Sequence, residues 1–227
     1  MIVGKDGDSS VAIYGATGRS ASSLARKFTR HEDGIYMEAI DDTVSGEEKP
    51  ELFEYPAIRF FDNGIVAANG RHIENISALE NRDARKQLAY ALSEEAYEPD
   101  EHRTPRITGC IVESQSLGGM KADAALHIVR FAHDGIDHAS WSVPLENGKG
   151  KFLSTYEGTD IKPTPSFSGD PIEVRLGYRS ASEAAKTIFN SYAPPSGEKD
   201  YRVGVIAVYK KLGEESTIAI VNSRYEH

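Results

Sequence analysis

The sequence predicts a layered α+β protein in which strands outnumber helices. Three observations lead there. Short apolar or alternating runs follow one another, broken by Gly, Asn, Asp and Pro. Helix-start signatures occur at only two places. The strands of the second half succeed each other without intervening helices, so the regular βαβ alternation of a parallel sheet is missing.

In chain order, Val11 to Tyr14 is a β-rich run ending in Gly15-Ala16-Thr17-Gly18, and Gly34 to Ile40 is a second candidate strand, with an Arg-rich loop or short helix between them. Ala57-Ile58-Arg59-Phe60-Phe61, Asp62-Asn63-Gly64 and Ile65-Val66-Ala67-Ala68 read as a hairpin, because Asn-Gly supplies the positive φ angles of a tight turn. Ser77-Ala78-Leu79-Glu80 has the form of a capping box. Ala84, Leu88, Ala91 and Leu92 then recur at helical spacing, predicting a helix that stops near Tyr97, before Pro99.

Strands are expected at Ile107 to Val112, Ala124 to Phe131, Ala139 to Val143, Phe152 to Tyr156, Ile172 to Tyr178, Tyr201 to Tyr209 and Thr217 to Val221. Pro144 to Gly150 is polar and turn-like. A second capping box, Ser180-Ala181-Ser182-Glu183, opens a helix through Tyr192 whose small and apolar residues suit packing on a sheet. The sum is roughly ten strands and two or three helices. Neither a repeat nor a low-complexity linker divides the chain, so residues 1–227 are expected to form one domain.

Composition narrows the function. At 227 residues, with 39% apolar and 27% charged side chains, the chain can bury a core without staples. A net charge of −9 repels nucleic acid and acidic membranes, although a few converging arginines can still favour a small phosphorylated ligand. The one cysteine, Cys110, excludes intrachain disulfides and multi-cysteine metal sites, and its strand-like setting predicts a buried structural thiol. No apolar run is long enough to span a bilayer and the first residues lack a signal peptide's apolar centre, so a cytoplasmic protein is expected.

Val11-Ala12-Ile13-Tyr14-Gly15-Ala16-Thr17-Gly18-Arg19-Ser20-Ala21 is similar to the opening of a dinucleotide-binding fold, with Asp41 and Asp42 after the next strand where a ribose carboxylate would sit. Such a fold must continue with alternating strands and helices. This chain runs into a hairpin instead, which leaves an NAD(P)-dependent oxidoreductase as a minor reading, and a simple turn at Gly15 and Gly18 as the plainer one.

Several segments together resemble the archaeal-type IMP cyclohydrolase family: Gly18-Arg19-Ser20 with Arg26 downstream, Tyr55-Pro56-Ala57-Ile58-Arg59, Asn69-Gly70-Arg71-His72, Tyr97-Glu98-Pro99-Asp100 leading to Thr104-Pro105-Arg106-Ile107, and Ser154-Thr155-Tyr156-Glu157. The resemblance implies a four-layer αββα sandwich like that of N-terminal nucleophile hydrolases, with a ligand pocket between two sheets. The sequence begins Met1-Ile2-Val3, without the Thr, Ser or Cys that those hydrolases use as nucleophile.

The implied reaction closes the purine ring of FAICAR (5-formamidoimidazole-4-carboxamide ribonucleotide) to IMP and water, for which neither metal nor redox cofactor is expected. The resemblance carries a polarising role for the formyl oxygen onto Arg26 and the acid/base role onto Glu98, with Glu101 as its rival. It makes Tyr55 a pocket tyrosine, Arg19, Arg59 and Arg106 phosphate candidates, and Asn69, Thr155 and Tyr156 neutral partners for ribose or base. The plainer reading of each charged residue is a solvated ion pair, and of Asn69-Gly70 a turn. His72 is expected to be a structural hydrogen-bonding group. His127, His133 and His138 form no evident metal signature.

Two positions depart from the family pattern. Arg103 stands where Asn commonly precedes Thr-Pro-Arg, and Pro56 where Asn commonly follows the pocket tyrosine. They leave open a non-catalytic purine-nucleotide-binding paralogue. The expected partner is a small purine nucleotide, and strand edges and exposed helix faces could support a homo-oligomer.

Overall fold

In a computed structural model of the chain, residues 1–40, 53–133, 135–158 and 164–223 are described. Asp41 and Asp42 lie outside them. The first sheet has the order β11-β10-β1-β2-β12-β13, from Ile172–Arg175, Lys149–Phe152, Ile2–Asp6, Ser9–Thr17, Arg202–Lys211 and Ser216–Asn222. The second runs β3 to β9 in sequence, from Arg26–Arg30, Gly34–Ala39, Tyr55–Phe61, Gly64–Ala68, Arg106–Ser116, Gly119–Ala132 and Gly135–Ser142. Every strand pair within these two sheets is antiparallel. The α+β class is therefore as the sequence predicts.

Period-two alternation sorts the side chains. From β2, Ala12, Tyr14 and Ala16 enter the core between the sheets, while Val11 and Ile13 face helix α3 (Ala181–Ser191) on the outer side. From the second sheet, Ile65, Ala67, Ile107, Ile111, Leu126 and Ile128 face inward, whereas Val66, Ala68, Cys110 and Val112 pack outward against helix α2 (Ala84–Ala91) and the 3-10 turn Arg71–Asn75. Helices thus cover the outer faces of two stacked sheets. Asn222 ties the sheets at one edge, its amide accepting from the Phe28 N–H at 2.8 Å and donating to the Phe28 carbonyl at 3.0 Å. No helix among the described residues is long and apolar enough to cross a membrane.

Several expectations need correction. The helix after residue 76 is capped by Asp83, which accepts from the Lys86 N–H at 3.0 Å, and not by Ser77. Residues 77–82 are instead held as an irregular strap. The Leu79 carbonyl takes a hydrogen bond from Asn63, and Gln87 reaches back to the Ala78 carbonyl and the Asn81 N–H. The helix ends at Ala91 rather than near Tyr97. Ser180 does cap α3, accepting from the Glu183 N–H, but the Glu183 carboxylate accepts from Arg179 rather than completing a box on Ser180.

The segment between the first two expected strands holds both a four-residue helix α1 (Ala21–Leu24) and a strand, β3, that sequence reading did not foresee. The strand expected at Phe152 to Tyr156 is displaced to Lys149–Phe152, and the following residues leave the sheet.

The Asn63-Gly64 hairpin is present, but neither residue has positive φ. Phe61 pairs with Gly64, leaving Asp62 and Asn63 as the loop, and Gly64 is needed for another reason: a Cβ there would lie 2.1 Å from the Ile111 carbonyl oxygen. The dinucleotide fingerprint dissolves in the same way. Gly15 is inside β2, paired with Val205, and a Cβ on it would strike the Tyr192 ring at 2.6 Å. Gly18 lies against the backbone of Ser23, and Ala21 opens a single helical turn. Among the described residues no parallel crossover follows β2, so the strand, glycine turn and helix of a dinucleotide-binding unit are not assembled here.

Candidate active site

Antiparallel packing brings strand ends of both sheets to one end of the sandwich, where they enclose a cavity of about 730 Å³. The end of β2 and the loop after it contribute Arg19. The starts of β3 and β5 contribute Arg26 and Tyr55, and the chain beyond β10 contributes Thr155 and Tyr156. The loop from Glu98 to Thr104 forms another wall. That loop is closed on itself, with the Glu98 N–H donating to the Thr104 carbonyl at 2.9 Å and the Thr104 N–H to Asp100 Oδ1 at 2.8 Å. The Thr104 hydroxyl also bonds Asp100 Oδ2, and its contact with the Tyr156 hydroxyl is 2.5 Å.

At the inner end, Tyr14 and Tyr55 reach across from opposite sheets and meet hydroxyl to hydroxyl at 3.0 Å. Arg26 stands beside Tyr55, its charge opposing the rise that burial gives the Tyr55 pKa, and it donates its Nε–H to the Ser23 carbonyl at 2.9 Å. Glu98 completes the group. Its residue is half-buried, yet Oε1 presses against Gly70, only 2.8 Å from where a Cβ would sit. Desolvation pushes its pKa up to about 8, with Asp100 adding to the rise while Arg106 and Arg26 oppose it. The cavity thus pairs a fixed cation with a carboxyl group that holds its proton near neutral pH. Such a pair suits proton transfer next to a carbonyl oxygen that gains negative charge.

A model of the family described as IMP cyclohydrolase-like protein matches residues 1–215. The chain belongs to this family. Among its relatives, the IMP cyclohydrolase of Methanothrix thermoacetophila is 26% identical over 191 residues, covering 83% of each chain. That of Methanosphaera stadtmanae is 28% identical over 193 residues, covering 83% of this chain and 82% of the relative. The alignment with the Methanocaldococcus jannaschii IMP cyclohydrolase, 28% identical, takes in 63% of this chain and just under two thirds, 64%, of that protein.

Of the residues that the resemblance to IMP cyclohydrolases implicates, Arg19, Arg26, Tyr55, Asn69, Glu98, Glu101, Thr155 and Tyr156 all line the cavity. Two phosphate candidates do not. Arg59 donates to the Ile76 carbonyl at 2.9 Å and lies over the Phe61 ring, away from the pocket. Arg106 stands behind the wall in an ion pair with Glu95, near enough to influence Glu98 without reaching the cavity. Asn69 lines the pocket, but both ends of its amide are used, donating to the Pro105 carbonyl at 2.8 Å and accepting from the Ile107 N–H at 2.7 Å. It braces the wall.

Arg19 lies over the Tyr156 ring and donates to Thr164 Oγ1 at 2.6 Å, which also contacts His102 Nδ1 at 3.2 Å. Among the described residues no group of three or more His, Cys, Asp or Glu is placed to hold a metal ion. Cys110 is a buried thiol whose pKa burial raises, and His72 is a buried hydrogen-bonding group.

The two departures from the family pattern fall outside the pocket. Arg103 has φ of 51°, the left-handed region in which Asn is at ease and Arg is not, and its guanidinium stacks on Phe131 at 3.9 Å. Pro56 sits where the β4–β5 register shifts, a place that tolerates a missing backbone donor. Sequence reading missed Tyr14, Asp100 and Thr104 as site residues. Val11 to Ala16 is apolar on both faces, so nothing in that run marks Tyr14 as the side chain that meets the cavity. Nothing in the sequence points to Thr164 or His102.

Proposed function

We propose that this chain is an IMP cyclohydrolase that closes FAICAR to IMP. The observation that carries the reading is the convergence of Arg26, Tyr55 and a protonated Glu98 in one cavity, in a chain that belongs to the IMP cyclohydrolase-like family. The carboxamide nitrogen attacks the formyl carbon of the same molecule. The formyl oxygen then leaves as water, taking one proton from the carboxamide nitrogen and one from the formamide nitrogen. Both reacting groups share a molecule, so the protein's task is to hold the reactive rotamer and to manage charge and protons.

Arg26 faces the formyl oxygen as it becomes an alkoxide, and the Tyr55 hydroxyl beside it offers a second donor. Glu98 gives its proton to the departing oxygen, and the resulting carboxylate accepts one from nitrogen. Glu101, exposed at the rim, lacks the enclosure that raises Glu98. Arg19 takes the 5′-phosphate, with Thr155 and Tyr156 against ribose or base.

The two helix-covered sheets support the implied likeness to the N-terminal nucleophile hydrolase fold, used here for a cyclisation. The reading as a non-catalytic paralogue loses its ground, because Pro56 and Arg103 do not touch the cavity. The test is direct. Purified protein is mixed with freshly prepared FAICAR, and IMP formation is followed against the uncatalysed rate. IMP production above background is expected; IMP binding by calorimetry without turnover would select the paralogue instead.

A further inference from the structure

His72 takes no part in the reaction described above and does not line the cavity. It sits in the 3-10 turn at 2% exposure. Its Nε2 lies 2.9 Å from Thr108 Oγ1, whereas Nδ1 is enclosed and has no hydrogen-bond partner among the described residues. A buried ring nitrogen left without a partner is rare enough to call for an explanation.

Gly70 provides one. A Cβ at this position would be 2.8 Å from Glu98 Oε1 and 3.3 Å from His72 Nδ1. Carboxyl and imidazole therefore flank the same bare stretch of backbone, across a span that one water can bridge. Gly70 is extended, with φ −175° and ψ 177°, a conformation open to any residue. What this position needs from glycine is the missing side chain.

We propose that His72 is a positioning residue for Glu98: its Nδ1 lone pair accepts a hydrogen bond from the protonated carboxyl, directly or across one water, and holds that carboxyl against the cavity wall until substrate arrives and its O–H turns to the departing oxygen. In this tautomer Nε2–H donates to Thr108 Oγ1, leaving Nδ1 as the acceptor. The protonation states match. Burial pulls the His72 pKa down to about 3, with Arg106 and His127 acting the same way and the Ile107 backbone opposing them, so the ring is neutral; burial pushes Glu98 up to about 8, so the carboxyl is a donor. The charged and titratable groups facing Glu98 are Asp100 in its own loop, Arg26 from β3, Arg106 from β7, and the hydroxyls of Tyr14, Tyr55 and Tyr156. Because imidazole is much the weaker base here, the proton stays on Glu98. The inference rests on Glu98 being the acid/base group, but its test does not depend on turnover.

The test is a ¹³C NMR titration of glutamate side-chain carboxyls in the full chain, with the Glu98 signal assigned by its loss in Glu98→Gln. His72→Gln keeps a partner for Thr108 but puts nothing at the Nδ1 position. Removing an acceptor that favours the protonated acid should lower the Glu98 midpoint by about one pH unit. His72→Asn places its carbonyl oxygen near the Nδ1 position and should hold the parental midpoint within about 0.3 of a unit. An unchanged or higher midpoint in folded His72→Gln overturns the proposal.

Should His72→Gln fail to fold, Gly70→Ala decides. Its backbone is permitted, its methyl group separates carboxyl from ring, and the midpoint should fall with His72 intact; no fall overturns the proposal. A lowered midpoint in protein that makes no IMP would sink the cyclohydrolase reading and leave this one standing.

Discussion

Glu98 and Arg26 can be tested separately. Glu98→Gln keeps the shape of the carboxyl and removes proton transfer, so kcat should fall by about 10² to 10⁴ while IMP binding, read by calorimetry, changes little. Arg26→Lys retains charge but loses the fork, one nitrogen of which is fixed on the Ser23 carbonyl, and a loss in kcat/KM of about 10² is expected. Arg59→Ala is the control. With its guanidinium on the Ile76 carbonyl, removing it should leave KM for FAICAR within about two-fold of the parent. The sequence could offer Arg19, Arg59 and Arg106 only as equal phosphate candidates, because chemistry is written in residue type and direction is not. In the folded chain Arg59 reaches the Ile76 carbonyl and Arg106 reaches Glu95. Glu98 and Glu101 were unresolved for a related reason, since their difference is enclosure by residues distant in the chain.

Elements were legible where a local pattern decides them and misread where a tertiary contact does. The existence of β2, β6, β7 and β12 reads directly from their continuous apolar runs, though burial on both faces hides which side chain meets which layer, and the Ser180 cap reads from its spacing. Ser77-Ala78-Leu79-Glu80 is a sound capping box that the fold overrules, since Asn63 and Gln87 capture the backbone groups a helical turn would need. The two candidate caps therefore separate cleanly. Asp83→Ala should cost about 1 kcal/mol in denaturant unfolding, whereas Ser77→Ala, at an exposed residue outside the helix, should stay within about 0.5 kcal/mol. The fingerprint glycines teach the same lesson. Gly15 serves close packing on Tyr192, and no pattern within eleven residues could reveal a ring arriving from the end of α3.

At the scale of the whole molecule, Glu98 couples stability to pH. Its folded pKa of about 8 lies above the ordinary carboxylate value of 4.5, so the native state binds the proton more tightly than the unfolded chain. The stabilisation this gives is complete below pH 4.5 and is lost as pH rises through 8. Thermal unfolding of Glu98→Gln against the parent should therefore show the variant gaining relative stability between pH 4.5 and 8, and a constant difference would place the carboxyl in ordinary solvent. The cavity itself draws its walls from across the chain: Arg19 meets Thr164 at a separation of 145 residues, and Tyr14 meets Tyr55 only when the two sheets are stacked. Nucleotide capture should accordingly be the last event of refolding. In a stopped-flow experiment the signal from bound IMP should trail the recovery of backbone ellipticity, making the ligand a clock for the docking of one sheet on the other.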